Sequence, residues 1–167
     1  MSAGRAYDVV MGADLSSNGL AEALQGFGGE KQRDSGVMFH VHVAEFELWA
    51  PLAMVIYHFA REAVENALRH AHADDIWIDV SRHPQAIVVG VQDNGRGFDT
   101  DAPTQEGRYG IGLMRERARV AGGELVLKSR LGNGTAISAR FPLARPFPAD
   151  GIEAKVLHRA EPKLDAG

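Results

Sequence analysis

The sequence predicts an α/β two-layer sandwich, with a mixed, largely antiparallel sheet and helices packed on one face. One continuous apolar stripe of period 3.6 predicts a long helix, and several short runs that alternate with a period of two predict strands. Turn sequences join two pairs of these runs, which indicates hairpins and therefore antiparallel pairing. The chain has 167 residues, 45% hydrophobic and 24% charged, as expected for one globular domain with a buried core.

The first half of the chain predicts a short helix, a strand and a long helix. Apolar residues at spacings of four and three predict the short helix over 19–27, which the glycine cluster at 26–29 ends. Residues 37–43 alternate in the way of a half-buried strand. Pro51 then suits the first turn of a helix that continues to about His72, with apolar residues along one face.

A predicted hairpin follows the long helix. Residues 76–80 and 87–91 are rich in apolar and β-branched side chains, with a turn around Pro84 between them. Beyond this hairpin the chain is polar and glycine-rich, so we expect a long loop over 98–112.

A helix and a second hairpin complete the predicted domain. The helix covers 113–121 and ends at a pair of glycines. Strands over 124–129 and 135–141 follow, and Asn133-Gly134 between them is a strong signal for a hairpin turn.

We expect three segments along the chain: a flexible lead-in over 1–18, one domain over 19–143 and a C-terminal tail over 144–167. The lead-in shows no periodicity. The tail is Pro-rich, charged and aperiodic, which is typical of termini that do not pack against a domain.

The composition argues against several classes of protein. The net charge is −4, the sequence pI is about 6.0 and no dense Lys/Arg run occurs, so we expect no binding to nucleic acid. The absence of cysteine excludes disulfides, zinc–thiolate sites and thiol nucleophiles, and it suits the cytoplasm. The longest apolar run, 50–60, is too short to span a bilayer, so we expect no membrane contact by this segment. A membrane anchor of a parent protein would lie elsewhere.

The long helix carries the first of three patterns that could support chemistry. Glu62, Asn66 and His70 are spaced by four and therefore lie on one face, with Arg69 beside them. Such a face, taken alone, is more often a solvated flank than a binding site.

The second pattern, Asp93-Asn-Gly95-Arg-Gly97, directly follows an apolar strand. Its carboxylate could accept a hydrogen bond from an exocyclic amine, and the glycines would let a flat ring lie against the backbone. Taken alone, this pattern is also an ordinary turn.

The third pattern, Gly107-Arg-Tyr-Gly110-Ile-Gly112-Leu113, precedes a helix. Glycines before a helix N-terminus leave free N–H groups that suit a phosphate. It is not a Walker A loop, because no Gly-Lys-Ser/Thr follows, and it is not a dinucleotide fingerprint, because no strand leads into it. Taken alone, it also fits a flexible surface loop.

The three patterns occur in a fixed order on compatible elements, followed by Gly134-Thr135 at the start of the last strand. In this combination the sequence resembles the ATP-binding catalytic domain of sensor histidine kinases, in the GHKL superfamily that also includes gyrase and mismatch-repair ATPases. Residues 61–71 look like the N box, 93–98 like the G1 box and 107–117 like the G2 box. The Met-Arg-Glu-Arg end of the third box is similar to the NarX/DesK-like branch.

The resemblance implies ATP and Mg²⁺ as ligands of the long helix. Asn66 would coordinate a Mg²⁺ ion that bridges the phosphates. Glu62 would lie beside the γ-phosphate or the metal and help to position or activate the acceptor. Arg69 and His70 would lie near the phosphates.

The resemblance also implies an adenine site after the second strand of the first hairpin. Asp93 would bind the adenine amino group, with Gly95 and Gly97 under the ring, and Thr135 would lie near the same end of the nucleotide.

A lid over 98–112 completes the site that the resemblance implies. Gly110 and Gly112 would hinge this lid and offer N–H groups to phosphate, and Leu113 would belong to the same nucleotide site. Phosphoryl transfer needs mainly positioning and charge neutralisation, so this set of residues is sufficient.

In kinases of this branch the acceptor histidine is usually followed directly by an acidic residue. None of the seven histidines here is followed by Asp or Glu, so the acceptor histidine is not found in this sequence. The resemblance therefore implies two protein partners: an acceptor-histidine dimerisation domain, in cis or in trans, and a response regulator. We expect an excised fragment of a longer kinase rather than a natural short protein. Without dimerisation helices we also expect a monomer.

Two other functions are compatible with the superfamily. One is a non-catalytic module that senses ATP and changes an interface, which the presence of both Glu62 and Asn66 disfavours. The other is a stand-alone serine kinase of the anti-sigma-factor type, which would explain a short chain without an acceptor histidine. The Met-Arg-Glu-Arg sequence favours the histidine-kinase branch over it.

Overall fold

The structure is a computed structural model that describes residues 17–100 and 108–143. The five strands form one sheet in the order β1-β2-β3-β5-β4, in which β1 and β2 pair in parallel and the other neighbours pair antiparallel. The predicted α/β sandwich with a mixed, largely antiparallel sheet is confirmed. Its elements in chain order are α1 (Ser17–Ser35), β1 (Met38–Val43), α2 (Ala50–His70), β2 (Asp75–His83), β3 (Ala86–Asp93), α3 (Arg108–Val120), β4 (Glu124–Ser129) and β5 (Thr135–Pro142).

One face of the sheet packs against the helices. Every second residue is buried along β2 from Ile76 and along β3 from Ile87. The strand register sets Ile78 opposite Val91 and Val91 opposite Ile137, which makes a continuous apolar layer. Helix α2 contacts β2, β3 and β5, α1 contacts β1, and α3 contacts β4. Each large aliphatic side chain in this layer contributes roughly 1.5–3 kcal/mol by leaving water.

The other face of the sheet carries more polar and exposed side chains. His40 Nε2 lies 2.8 Å from Asp75 Oδ1, and the His40 ring stacks on Trp77 with centroids 5.2 Å apart. His42 Nδ1 lies 2.9 Å from Asp79 Oδ1. This face is separated by the sheet from the helices that carry the predicted site.

Helix α2 confirms the most strongly periodic part of the sequence. Pro51 lies in its first turn, where the missing N–H costs no hydrogen bond. Its apolar face is buried around Ile56 and Ala60, both fully inaccessible to water. The helix ends at Ala71, whose N–H donates to the Ala67 carbonyl, and His72 then adopts a left-handed conformation with φ of 51°.

Helix α1 is longer than predicted. The glycines at 26–29 do not end it, and it continues to Ser35 before Gly36 reverses the chain. The reason is tertiary packing: a Cβ atom on Gly28 would lie 3.2 Å from Val41 Cγ2, so glycine lets the helix lie close to β1. Gln32 also accepts a hydrogen bond from the Phe39 amide at 2.9 Å.

Helix α3 begins earlier than predicted. The sequence placed 98–112 in a loop, whereas the structure has helix from Arg108 onward, so Gly110 and Gly112 lie inside its first turns. Glycine has low intrinsic helix propensity, and here packing outweighs it, because Gly110 lies directly against side chains of α2.

The remaining boundaries are close to those expected. Both predicted hairpins are confirmed, and the first has longer strands than the sequence indicated. The lead-in up to residue 16, residues 101–107 of the predicted lid and the tail from 144 onward lie outside the described residues. Among the helices that the structure describes, none combines the length and the hydropathy needed to cross a bilayer.

Candidate functional site

The adenine end of the predicted site is built around Asp93, the last residue of β3. Its side chain is 4% exposed, and it is the charged residue that the described part of the chain buries most fully. The Gly95 amide donates to Asp93 Oδ1 at 2.9 Å. Burial raises the pKa of Asp93, and hydrogen bonds from the backbone of Gly95 and Thr135 partly oppose this shift. A buried carboxylate of this kind can orient a neutral donor such as an amino group.

The loop after Asp93 is packed tightly between two other segments. A side chain on Gly95 would collide with the Ala71 carbonyl at the end of α2, and one on Gly97 would collide with the Arg130 carbonyl after β4. Gly97 also has φ of 56°, which disfavours any residue with a Cβ. The structure therefore gives these two glycines a role in backbone packing within the protein, besides the predicted contact with a ring.

A hydroxyl network holds the other side of this loop. The Phe98 amide donates to Ser129 Oγ at 2.9 Å, and Ser129 Oγ lies 2.8 Å from Thr135 Oγ1. The strand register sets Asp93 opposite Thr135. Thr135 thus lies beside the buried aspartate, and Ser129 is a neighbour that the sequence did not indicate.

Asn94 fixes the start of the loop. Its Oδ1 atom accepts hydrogen bonds from the amides of Asp74 and Asp75, both at 3.0 Å, and its Nδ2 donates to Asp75 Oδ2 at 3.2 Å. Sequence reasoning missed this role. Asparagine's capacity to bond backbone was the available signal, but its partners at the start of β2 depend on the fold.

The phosphate end of the predicted site lies on α2 beside the start of α3. A Cβ atom on Gly110 would lie 3.5 Å from Asn66 Oδ1 and 3.6 Å from Glu62 Oε1, so the amide, the carboxylate and the glycine meet at one point. Asn66 Nδ2 donates to the sulfur of Met114 at 3.7 Å. The structure thus brings together the N-box and G2-box residues that the sequence paired only by resemblance.

The other predicted residues on α2 and α3 are exposed. Arg69 is exposed, and its Nε donates to the Glu65 carbonyl of its own helix at 3.2 Å. His70 is exposed at the end of α2. Gly112 has open space where a Cβ would lie, and Leu113 is 40% exposed. Their predicted roles stay predictions.

Two basic side chains act on His58, one from α2 and one from α3. His58 lies one turn before Glu62 on the same helix. Burial lowers the pKa of His58, and the positive charges of Arg61 and Arg117 lower it further. Both effects favour the neutral form of the His58 imidazole.

The donor set at Asn66 fits a magnesium ion that ATP brings with it. Within the described residues, no group of three or more His, Asp or Glu side chains could hold a metal by itself. Mg²⁺ in nucleotide sites keeps several waters and is held by one or two protein oxygens together with phosphates. With Asn66 Nδ2 directed to sulfur, Asn66 Oδ1 would be an oxygen donor for such an ion.

Comparison with known families identifies the domain that contains these residues. The family model of histidine kinase-, DNA gyrase B- and HSP90-like ATPases matches residues 53–145. The chain belongs to this family. Membership makes ATP the expected nucleotide of the domain, and the matched residues contain Glu62, Asn66, Asp93 and Gly110.

Curated relatives of this ATPase domain include a histidine-protein kinase/phosphatase and a sensor protein. The signal transduction histidine-protein kinase/phosphatase DegS of Bacillus subtilis is 31% identical over 93 residues, which cover 54% of this chain and 24% of DegS. The sensor protein VraS of Staphylococcus epidermidis is 25% identical over 137 residues, covering 82% of this chain and 39% of VraS. The chain thus spans between about a quarter and two fifths of these relatives.

Solved structures of histidine kinases share the fold. The histidine kinase domain of the blue-light-activated kinase of Erythrobacter litoralis superposes with a TM-score of 0.66 at 23% identity, covering 83% of this chain and 69% of that one. The histidine kinase AdeS of Acinetobacter baumannii superposes with a TM-score of 0.62 at 12% identity, covering 84% and 75%. The likeness confirms the architecture of the ATPase domain.

Proposed function

We propose that this domain binds Mg-ATP and transfers its γ-phosphoryl group to a histidine on a dimerisation domain, acting with a response regulator in a two-component system. The acceptor histidine is supplied by another segment or chain. The setting is the cytoplasmic side of the parent kinase. The curated relatives DegS, a histidine-protein kinase/phosphatase, and VraS, a sensor protein, support this proposal over the serine-kinase alternative.

One observation carries the nucleotide part of the proposal: a buried carboxylate lies beside the C-terminal end of α2, and a polar pair lies one and two turns earlier on the same helix. Asp93 lies against the loop that packs on Ala71, at the end of α2. Asn66 and Glu62 lie one and two turns earlier on the same helix. A rise of 1.5 Å per residue places Asn66 roughly 7–8 Å before Ala71 along the helix axis, a spacing that suits a ligand with an adenine and a phosphate end.

Each residue then has a specific task in the transfer. Asp93 accepts a hydrogen bond from the adenine amino group and fixes the orientation of the base. Asn66 would hold the magnesium ion, which would neutralise phosphate charge. Glu62 lies where it can position or activate the acceptor imidazole. The lone pair of an imidazole nitrogen forms the bond to the γ-phosphorus, the bond between this phosphorus and its bridging oxygen breaks, ADP leaves with that electron pair, and the imidazole proton is released to Glu62 or to water.

Calorimetric titration with Mg-ATP tests the nucleotide assignment, with Asp93→Asn as the variant and Asp79→Asn as the matched control. Asp79 undergoes the same carboxylate-to-amide change on the opposite face of the sheet, where its side chain is 56% exposed. We expect the first variant to lose at least about tenfold in affinity, or 1.4 kcal/mol, and the control to bind as the wild type does. A wild type that binds no nucleotide would refute the proposal.

The reaction type is tested by incubation with Mg-ATP and an acceptor domain of a histidine kinase. Transfer should give a phosphorylated acceptor whose label is lost in acid, as expected of a phosphoramidate, and Glu62→Gln should slow its formation. An acid-stable product would indicate a hydroxyl acceptor and the serine-kinase alternative. ATP binding without transfer to any acceptor would favour the non-catalytic sensor.

A further inference from the structure

Arg96 closes the C-terminal end of α2 from a distant part of the chain. The last carbonyls of a helix lack partners within it and need donors from elsewhere. The Arg96 amide donates to the Ala71 carbonyl at 2.7 Å, and Arg96 Nε donates to the His70 carbonyl at 2.6 Å. A positive side chain at this position also faces the negative end of the helix dipole. The loop after Asp93 therefore supplies donors to two carbonyls at the end of α2.

The same residue also binds the β4–β5 connection. The Gly132 amide donates to the Arg96 carbonyl at 2.7 Å. Arg96 thus joins three segments: the end of α2, the loop after Asp93 (the adenine loop) and the turn before β5. Its own side chain is on the surface. A substitution there would remove a bond without opening a cavity in the core.

This position places Arg96 between the two ends of the candidate site. Asn66 lies four residues before His70, so the carbonyl that Arg96 Nε holds is one helical turn from the metal-binding amide. Asp93 lies three residues before Arg96, where the strand ends and the loop begins. The Arg96 amide in this loop donates to the Ala71 carbonyl. A ligand that contacts both Asn66 and Asp93 depends on the spacing between these segments.

We propose that Arg96 is a positioning residue, which sets the spacing between the adenine-binding carboxylate and the metal-binding amide by fixing α2 to the adenine loop. The hydrogen bonds between Arg96 and α2 do not depend on the proposed function, but their effect on ATP binding rests on it. Its specific consequence is a coupling between magnesium and adenine. Loss of the Arg96 hydrogen bonds should lower the affinity for ATP more strongly when Mg²⁺ engages Asn66 than when ATP is held by its base alone.

The test compares Arg96→Met with Arg119→Met in the full chain. Methionine keeps the length of the side chain and removes the donor and the charge. Arg119 donates from Nε to Glu116 Oε2 at 2.9 Å on the exposed face of α3, so its substitution breaks a similar bond outside the site. ATP affinity is measured by calorimetry with Mg²⁺ and with EDTA, and hydrogen exchange of the backbone amides is measured without nucleotide.

We expect Arg96→Met to lower the affinity for Mg-ATP about tenfold and the affinity for ATP in EDTA about twofold or less. The increase in affinity that Mg²⁺ provides should therefore fall roughly fivefold. Arg119→Met should leave both affinities unchanged. In the absence of nucleotide, Arg96→Met should speed up hydrogen exchange at two backbone amides, that of position 96 and that of Gly132. The paired amides within β3 should keep the wild-type rates.

Each outcome separates this inference from the proposed function. A wild type that does not bind ATP refutes the proposed function, and hydrogen exchange still decides whether Arg96 holds the loop on α2. A wild type that binds ATP, with an Arg96→Met variant of equal affinity, overturns the inference alone. Equal losses with Mg²⁺ and with EDTA also overturn it, because they show an effect confined to the adenine end.

Discussion

Asn66 and Met114 are joined by a hydrogen bond from the amide nitrogen to the thioether sulfur, 3.7 Å long, between α2 and α3. Met114 is 2% exposed, so the sulfur is part of the core while the amide borders the candidate phosphate end. A thioether is a weak acceptor, but it selects the amide nitrogen and leaves the oxygen for a cation. The side chain that would hold magnesium is thus oriented from the core.

Substitution of Met114 by leucine tests this orientation. Leucine has a similar volume, so we expect unfolding to become easier by less than about 1.5 kcal/mol. Without the sulfur, the Asn66 amide loses its fixed orientation, and we expect Mg-ATP affinity to fall roughly two- to fivefold, or about 0.4–1 kcal/mol. Met54→Leu on α2, which makes the same change away from Asn66, is the control. Equal affinities in the wild type and Met114→Leu would show that sulfur does not orient the amide.

Gly95→Ala should damage both stability and binding. The new methyl group would collide with the Ala71 carbonyl, which is backbone and cannot turn aside. Overpacking of this kind costs about 1–3 kcal/mol of unfolding free energy, measured by denaturant titration. Because the collision lifts the adenine loop from α2, we also expect Mg-ATP affinity to fall by at least about tenfold.

Gly90→Ala is the control for this substitution. Gly90 lies on the same strand that leads to Asp93, and nothing lies within 4 Å of the position of its Cβ. Alanine there should leave ATP affinity unchanged and cause no loss of stability. If Gly95→Ala were as stable and as tight a binder as Gly90→Ala, the close packing of the loop on α2 would be wrong.

Asp93→Asn should stabilise the unliganded domain near neutral pH although it weakens ATP binding. Burial raises the folded-state pKa of Asp93 above its unfolded value, so the ionised carboxylate opposes folding above that pKa. As pH falls through the folded pKa, the native state takes up a proton before the unfolded state and the penalty disappears. The stability advantage of the variant should therefore be largest at neutral pH and shrink in acid.

Urea titrations of the wild type and Asp93→Asn between neutral and acidic pH measure this difference. Taking the difference at each pH cancels the contributions of other carboxylates. An advantage of the variant that grows on acidification would have the opposite sign and would contradict a raised pKa.

Gly26 and Gly28 should respond differently to alanine. Gly26 is exposed in α1 with nothing within 4 Å of its Cβ position, so Gly26→Ala should raise the unfolding free energy by about 0.5–1 kcal/mol. At Gly28 the added methyl group would lie 3.2 Å from Val41 Cγ2, so the same propensity gain is offset by crowding against β1. Thermal denaturation of both variants measures the contrast. An equal gain at both positions would mean that α1 does not rest on β1 as described.

The sequence predicted the elements whose periodicity matches their burial. The apolar stripe of α2 and the alternation of β2 and β3 are local patterns, and the buried residues follow them. Asn133-Gly134 likewise predicted the last hairpin. The ends of α1 and α3 could not be predicted in this way, because glycines that terminate a helix and glycines that let a helix pack closely have the same local signal.

The sequence by itself determined the family and the chemical groups of the candidate site, since Glu62, Asn66 and Asp93 could be named from spacing and resemblance. Only the tertiary structure decided how these groups are held. The bond from Asn66 to Met114 and the bonds from Arg96 to the end of α2 join residues that are 48 and 26 positions apart. Such contacts arise when the sheet brings distant segments together and unpaired carbonyls and amides find partners there, which no local pattern records.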